Sequence, residues 1–156
     1  MTLQITVQDI TKVERGIIGH GVNCQGVMRS GVAKQLRSLY PKIFYSYSSL
    51  CNQHSDKSEL LGSVDFVSIT PDIIIANMFT QEYYGKDGRV YASPFGIQQS
   101  MLRVILMASS LNLDVYIPPI GCGLGGLNWD ETVLPLLEEA SSLFPEVNIT
   151  VCNLPT

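Results

Sequence analysis

The stretch His20-Gly-Val-Asn-Cys-Gln-Gly-Val-Met-Arg-Ser-Gly31-Val-Ala decides how the rest of the chain is organised. A β-branched apolar run, residues 16–22, leads into it, and an amphipathic helix pattern, residues 32–40, leaves it. The stretch is therefore predicted to be the loop of a strand–loop–helix unit. Main-chain N–H groups at such a helix N-terminus attract an anion, because the helix dipole adds to their partial positive charge.

A second glycine-rich loop, Gly121-Cys-Gly-Leu-Gly-Gly126, follows the strand-like run 114–120 and precedes a helix pattern at 130–143. Neither loop has the spacing of a P-loop or of a Rossmann cofactor site. Two glycine loops that each join a strand to a helix nevertheless predict one phosphorylated ligand held between them. Glycines in turns also serve purely conformational ends, and that alternative stays open.

Length and composition favour one ordered domain, residues 1–156. With 46% hydrophobic and only 15% charged residues, the chain is unlike a disordered sequence. The longest apolar runs, near Ile17 and Ile73, are too short to span a bilayer. The N-terminus has neither a basic region nor a long apolar core, so we expect a cytoplasmic location.

Cysteine spacing and charge limit the possible ligands. Cys24, Cys51, Cys122 and Cys152 are scattered, without zinc or C-x-x-C spacing, so no metal or other cofactor is predicted and the thiols are expected to be reduced. The formal net charge of −4, without a Lys/Arg run, argues against general nucleic-acid binding. A free nucleotide needs no basic stripe, because loop amides supply positive potential locally.

Strand and helix patterns alternate along the chain, which predicts an α/β fold with three layers and a mixed, mostly parallel sheet edged by antiparallel strands. The short turn at residues 70–72 predicts an antiparallel hairpin. In such folds, ligands bind beyond the carboxyl ends of the strands, where both glycine loops fall. Strands are predicted at 3–7, 16–22, 62–70, 72–79, 114–120 and 148–152, and helices at 32–40, 43–50, 95–111 and 130–143.

Three segments resemble, in the same order, motifs of the macrodomain family of ADP-ribose-binding modules. They are Gln8-Asp-Ile-Thr11, the stretch from Asn23 to Ala33, and Ile120-Gly-Cys-Gly-Leu-Gly-Gly-Leu-Asn-Trp129. The resemblance implies the three-layer macrodomain fold. It also implies that the partner is ADP-ribose, ADP-ribose 1″-phosphate or an ADP-ribosylated protein, and not a membrane.

Within the family, His20-x-x-Asn23-Cys24 and the segment 120–124 are most similar to one branch. It contains the yeast-type ADP-ribose-1″-phosphate phosphatase and a human hydrolase of ADP-ribosylated glutamate. That hydrolase uses a strand-end lysine and an aspartate in the second loop, where this chain has Gln81 and Gly125. The resemblance therefore favours hydrolysis of ADP-ribose 1″-phosphate to ADP-ribose and phosphate. A non-catalytic ADP-ribose-binding module and a de-ADP-ribosylating hydrolase remain the alternatives.

The resemblance also implies roles for ligand-binding residues. Asp9 would accept a hydrogen bond from the adenine amino group, Ile10 would offer its main-chain N–H nearby, and Asn23 would hold the distal ribose. Asp9 as a turn residue and Asn23 in a left-handed turn are the structural alternatives. The amides of one loop would bind one phosphate, and those of the other loop the second phosphate and the distal ribose: Gly31, Val32 and Ala33, then Gly121, Cys122, Gly123, Leu124 and Gly125.

Three residues are candidates for catalysis: His20, Asn23 and Gln81. His20 is the general acid or base available near the first loop, although a histidine late in a buried strand is often a structural hydrogen-bonder. Gln81 would orient a water or the terminal phosphate. Cys122 is interpreted as a source of a main-chain N–H rather than as a nucleophile, since no basic residue adjoins it. Tyr91 and Phe95 are candidates for stacking on the adenine or ribose.

Overall fold

A computed structural model of the chain describes residues 3–154, in which a six-stranded sheet lies between two layers of helices. Two short 3-10 segments, Ile10–Lys12 and Lys57–Leu60, lie in the connections. The strands are β1 (Leu3–Val7), β2 (Gly16–Asn23), β3 (Val64–Ser68), β4 (Ile73–Gln81), β5 (Val115–Ile117) and β6 (Ile149–Asn153), and the helices are α1 (Gly31–Leu39), α2 (Lys42–Asn52), α3 (Pro94–Leu111) and α4 (Leu134–Leu143).

The strand order is β1-β6-β5-β2-β4-β3, and every neighbouring pair is parallel except β3 with β4. The predicted three-layer α/β class with a mixed, mostly parallel sheet is thus confirmed. The prediction that antiparallel strands form both edges of the sheet was wrong for the β1 edge. There β1 pairs in parallel with β6, from Leu3 opposite Ile149 onward. Most of the chain separates these two strands, so no hairpin turn forces them to be antiparallel.

Most boundaries lie within two residues of the predicted ones, and two elements differ more. The strand predicted at 114–120 is only Val115–Ile117, because Pro118 and Pro119 have no N–H to donate to the ladder. The helix predicted at 130–143 begins as a π-helical turn, Trp129–Val133, before α4 starts. No helix within residues 3–154 is long and apolar enough to cross a membrane.

Strand β2 runs through the centre of the sheet, between β4 and β5. Ile17 and Ile18 are completely buried and belong to the two separate hydrophobic clusters on its opposite faces. Gly19 lets neighbouring side chains pack closely against β2, since a Cβ there would lie 2.8 Å from the sulfur of Met78 and 3.1 Å from Ile117. The central strand therefore delivers the first loop to the same sheet edge as the ends of β4 and β5.

Replacing the N-cap of the longest helix tests this framework. The Ser93 side chain accepts a hydrogen bond from the Gly96 N–H at 3.1 Å, and Pro94 occupies the first turn of α3. We expect Ser93→Ala to lower the free energy of unfolding by about 1 kcal/mol in urea titrations, because a helix N–H loses its acceptor. Ser110→Ala, near the exposed end of the same helix, is the control and should change it much less.

Candidate functional site

The carboxyl ends of the parallel strands open into three adjoining cavities that form one groove. The central cavity, about 570 Å³, is lined by residues of both glycine loops. The predicted ligand residues Gly31, Val32 and Ala33 face it from one side, and Gly121, Cys122, Gly123, Leu124 and Gly125 from the other. The two loops therefore lie on the same side of the molecule and can contact one ligand together.

The first loop presents an uncapped helix to this cavity. The first N–H groups of an α-helix have no acceptor within the helix, and the Ser30 side chain makes no capping hydrogen bond at the start of α1. This differs from α3, where Ser93 caps the first turn. The amides of residues 31–33 are thus available to an anion, and the helix dipole favours negative charge at this end.

The second loop combines glycines of two kinds. Gly125 is packed, since a Cβ there would lie 2.7 Å from the Gly121 carbonyl oxygen and 2.9 Å from Ala92. Its carbonyl accepts hydrogen bonds from the N–H groups of Tyr91 and Ala92. A Cβ on Gly123 would have no described neighbour within 4 Å. Gly125 therefore holds the loop in shape, while Gly123 leaves the space in which a phosphate can approach the main chain.

Asp9 lies at one end of the groove, in a cavity of about 750 Å³ that shares Gly31 with the central one. Its Oδ1 accepts hydrogen bonds from the N–H and hydroxyl of Thr11, at 2.9 and 2.6 Å. These bonds hold the pKa of the Asp9 carboxyl below its usual value, so Oδ2 offers a charged acceptor to a ligand. Ile10 is 1% exposed and packs into the core, so its side chain does not line the groove.

Asn23 lies at the other end, in a distal cavity of about 170 Å³. The Tyr47 hydroxyl donates to Asn23, whose main-chain oxygen and Oδ1 lie 2.7 and 2.8 Å away. The Asn23 Oδ1 also accepts the Gln25 N–H, and Nδ2 donates to the Val27 carbonyl. The side chain thus stabilises the loop after β2, and one amide hydrogen remains for a ribose hydroxyl.

Gln81, at the end of β4, lines both the central and the distal cavity. Its Nε2 donates to the Tyr83 carbonyl at 2.7 Å, which leaves Oε1 as an acceptor. An amide oxygen can orient a water molecule but cannot take its proton. Two cations that the sequence reasoning missed, Arg29 and Lys86, also line the distal cavity, whereas no described lining residue is acidic.

His20 lies beneath the loops on the floor of the central cavity and is 1% exposed. Its Nε2 lies 2.6 Å from Asn77 Oδ1, while Asn77 Nδ2 donates to Ile43 O and Asp65 Oδ2. Since Asn77 presents its oxygen, the proton of the neutral imidazole is on Nε2. Nδ1 is then a buried acceptor without a hydrogen-bond partner in the described residues.

Burial lowers the pKa of His20 to about 4, despite the hydrogen bond to Asn77. A neutral imidazole with so low a pKa is a poor proton donor and a weak base at neutral pH. Its chemistry favours accepting a hydrogen bond through Nδ1 from a ligand or a bound water. The role of general acid or base remains a prediction, and this environment gives it little support.

The remaining sequence-based candidates lie at the edges of the groove or outside it. Burial raises the pKa of the Cys122 thiol, which disfavours the nucleophilic thiolate. The Tyr91 hydroxyl donates to Asp87 at 2.8 Å, and Tyr91 and Phe95 line none of the three cavities. Within residues 3–154, no group of three His, Cys, Asp or Glu side chains is arranged to hold a metal ion.

Comparison with known proteins agrees with this architecture. No family model matches the chain. It is 26% identical over 144 residues to a DNA ADP-ribosyl glycohydrolase of Mycobacterium tuberculosis, a match that covers 92% of this chain but 40% of that relative. It is 31% identical over 118 residues to an uncharacterized 17.5 kDa protein of phage T4, a match that covers 72% of each. The chain thus spans well under half of the mycobacterial relative.

The solved macrodomain of Mycobacterium tuberculosis DarG superimposes on this chain with a TM-score of 0.80 and 26% identity, over 99% of this chain and 98% of that one. A protein of unknown function from Bacteroides thetaiotaomicron gives a TM-score of 0.82 at 25% identity, over 99% of each chain. The sheet order, the two helical layers and the groove between two glycine loops are thus those of the macrodomain fold. More particularly, the chain belongs to the same family as the 17.5 kDa protein of phage T4.

A matched pair of substitutions separates the two kinds of glycine in the second loop. We expect Gly125→Ala to lower the free energy of unfolding by about 1–3 kcal/mol, because its Cβ would overlap main-chain atoms of Gly121. Gly123→Ala should leave stability almost unchanged, since its surroundings are open. Urea unfolding of both variants checks this, and equal losses would contradict the assignment of Gly123 as the open position.

The buried imidazole predicts a pH dependence of stability. Between pH 6.5 and about 4 the unfolded chain binds a proton at His20 that the folded chain does not, so stability falls as pH falls through this range. The contribution is of the order of 3 kcal/mol from a shift of this size. Urea titrations at several pH values should give a shallower acid loss for His20→Gln, whereas His54→Gln, on the polar loop after α2, should behave like the wild type.

Proposed function

We propose that this macrodomain binds ADP-ribose along the groove and hydrolyses ADP-ribose 1″-phosphate to ADP-ribose and inorganic phosphate. The adenine lies at Asp9, the diphosphate between the two glycine loops, and the distal ribose at Asn23. The order of the three cavities supports this placement, since it follows the order of the groups along the ligand. The resemblance to macrodomains supports the choice of ADP-ribose itself.

The residues that line the distal cavity support a substrate with a phosphate on the distal ribose. It is lined by the cations Arg29 and Lys86 and by the amide of Gln81, and by no carboxylate of the described chain. A phosphate on the distal ribose would bring negative charge to this place, where the two cations would stabilise it. A neutral hydroxyl there would gain little from two cations.

Hydrolysis would then depend on positioning more than on a strong base. The amides of the second loop and the two cations would hold the phosphoryl oxygens, while Gln81 Oε1 would accept a hydrogen bond from the attacking water. The water attacks phosphorus, its oxygen forms the new P–O bond, and the bond from phosphorus to the ribose oxygen breaks. The proton of the water passes to the departing ribose oxygen through the substrate phosphate, so that no protein carboxylate is required.

A second function, release of ADP-ribose from a nucleic acid, is favoured by one observation. The mycobacterial relative is named as a DNA ADP-ribosyl glycohydrolase and is similar to this chain over 144 residues. An ADP-ribosylated strand would also bring a phosphate to the distal end of the groove. The resemblance associates de-ADP-ribosylation with a strand-end lysine, and this chain has Gln81 at that position. We therefore propose phosphatase activity first and release of ADP-ribose from nucleic acid second.

Release of inorganic phosphate from ADP-ribose 1″-phosphate is the direct test. We expect the purified protein to release phosphate and ADP-ribose in equal amounts, as measured by a colorimetric phosphate assay and chromatography. Arg29→Gln should raise KM about tenfold or more, because a charged hydrogen bond to the phosphate is lost. Gln81→Ala should lower kcat more than it changes KM, because the water is no longer oriented.

Arg103→Gln, at an exposed position of α3, is the matched loss of charge away from the groove and should have the kcat and KM of the wild type. Absence of phosphate release, with ADP-ribose still bound in calorimetry, would leave a binding module in place of the phosphatase. Release of ADP-ribose from an ADP-ribosylated oligonucleotide, without activity on the 1″-phosphate, would establish the second function instead.

A further inference from the structure

The part of the first loop that reaches the distal cavity has no regular secondary structure. Between the end of β2 and the start of α1, residues 27–29 belong to no strand, helix or turn. Met28 and Arg29, in this segment, both line the distal cavity. Since no ladder or helix fixes their main chain, its path depends on contacts from side chains.

Asn23 and Tyr47 hold the beginning of this segment. Asn23 Nδ2 donates to the Val27 carbonyl at 2.8 Å, and the Val27 N–H donates to Asn23 Oδ1 at 3.4 Å. The Tyr47 hydroxyl donates to the same carbonyl at 3.5 Å. The hydrogen bond that holds Met28, one residue further along the chain, comes from a different side chain.

Arg37, on α1, donates that hydrogen bond. Its Nη1 lies 3.2 Å from the Met28 carbonyl oxygen. The same guanidinium stacks on α2, with its central carbon 3.5 Å from the centroid of the Phe44 ring. A guanidinium can make both contacts at once, because its face covers a ring while its N–H groups donate in its own plane. Arg37 thus connects the loop to both α1 and α2.

The Met28 side chain is fixed as well. It is 2% exposed and belongs to the hydrophobic cluster that also contains Leu36, of α1, and Ile43, of α2. With the side chain packed and the carbonyl hydrogen-bonded, the peptide between Met28 and Arg29 has little freedom to move. The exposed Arg29 side chain therefore starts from a fixed point beside the distal cavity.

Arg37 itself does not reach the groove. It lines a separate cavity of about 530 Å³ beside α1 and the start of α2, and it lines none of the three cavities of the groove. No ion pair within residues 3–154 includes Arg37. Its contribution is therefore the stacked and hydrogen-bonded geometry, and any effect on a ligand must pass through another residue.

We infer that Arg37 is a positioning residue, which holds the Met28 carbonyl so that the Arg29 guanidinium stays at the distal cavity. Arg29 lines both this cavity and the one beside Arg37, so a displaced loop would let its charge leave the groove. The inference deepens the proposed function and rests on it, because Arg29 acts there on a phosphate of the distal ribose.

Calorimetry with ADP-ribose 1″-phosphate and with ADP-ribose tests this role by selectivity. The parent protein is Gln81→Ala, in which slow turnover leaves the substrate intact. Arg37→Lys keeps the charge but not the planar group that stacks and donates. We expect it to weaken binding of the 1″-phosphate by about tenfold, the loss expected of Arg29→Gln, and to leave ADP-ribose binding nearly unchanged.

Two further variants test whether Arg37 acts through Arg29. The protein that carries both Arg37→Lys and Arg29→Gln should bind the 1″-phosphate no more weakly than Arg29→Gln alone. Phe44→Leu, which removes the ring under the guanidinium, should lower selectivity in the same direction as Arg37→Lys. Arg103→Gln, at an exposed position of α3, should keep the selectivity of the parent. Unchanged selectivity of Arg37→Lys, losses that add in the double variant, or equal losses for both ligands would overturn the inference.

Limited proteolysis with trypsin distinguishes failure of this inference from failure of the proposed function. A parent protein that binds both ligands equally would overturn the 1″-phosphate as the preferred substrate. Cleavage after Arg29 then decides whether the loop is held. Faster cleavage there in Arg37→Lys, with an unchanged rate after the exposed Arg89, would support the role of Arg37. An unchanged rate after Arg29 would overturn it.

Discussion

The parallel pairing of β2 with β4 on one side and β5 on the other is the constraint on which the groove depends. It brings three carboxyl ends to one edge, so that the loop after Asn23, the end of β4 at Gln81 and the loop after Ile120 lie side by side. Glycine at position 19 lets the layers close tightly around β2. Without this pairing the two sets of loop amides would not face a common ligand.

Between the two glycine loops, the polar groups of the groove are main-chain N–H groups rather than charged side chains. The start of α1 is uncapped, and the second loop leaves open space at Gly123. The buried histidine stays neutral, and the thiol of Cys122 is disfavoured as a thiolate. An anion held by main-chain N–H groups would require no change in the protonation of His20 or Cys122.

The sequence predicts the scaffold well because its signals are local. The strand–loop–helix pattern around Asn23 and the hairpin near residue 71 each depend on neighbours within a few positions. The shortened β5 was also predictable in principle, since prolines 118 and 119 cannot continue a ladder.

The side-chain environment of the site could not be predicted, because it depends on residues far apart in the sequence. Tyr47 binds the oxygens of Asn23 from 24 positions away, and Asn77 fixes the tautomer of His20 from 57 positions away. Lys86 reaches the distal cavity from a loop whose path the pattern does not define.

The Tyr47 hydroxyl belongs both to the core and to the distal end of the groove. Its ring packs against Phe79 with centroids 5.6 Å apart, while its oxygen holds Asn23 and accepts the Gly26 N–H at 3.1 Å. A substitution of Tyr47 would therefore affect the packing of the core and the shape of the distal cavity together. Arg29 and Lys86 line the same cavity with exposed side chains, so either of them can be exchanged without disturbing the core.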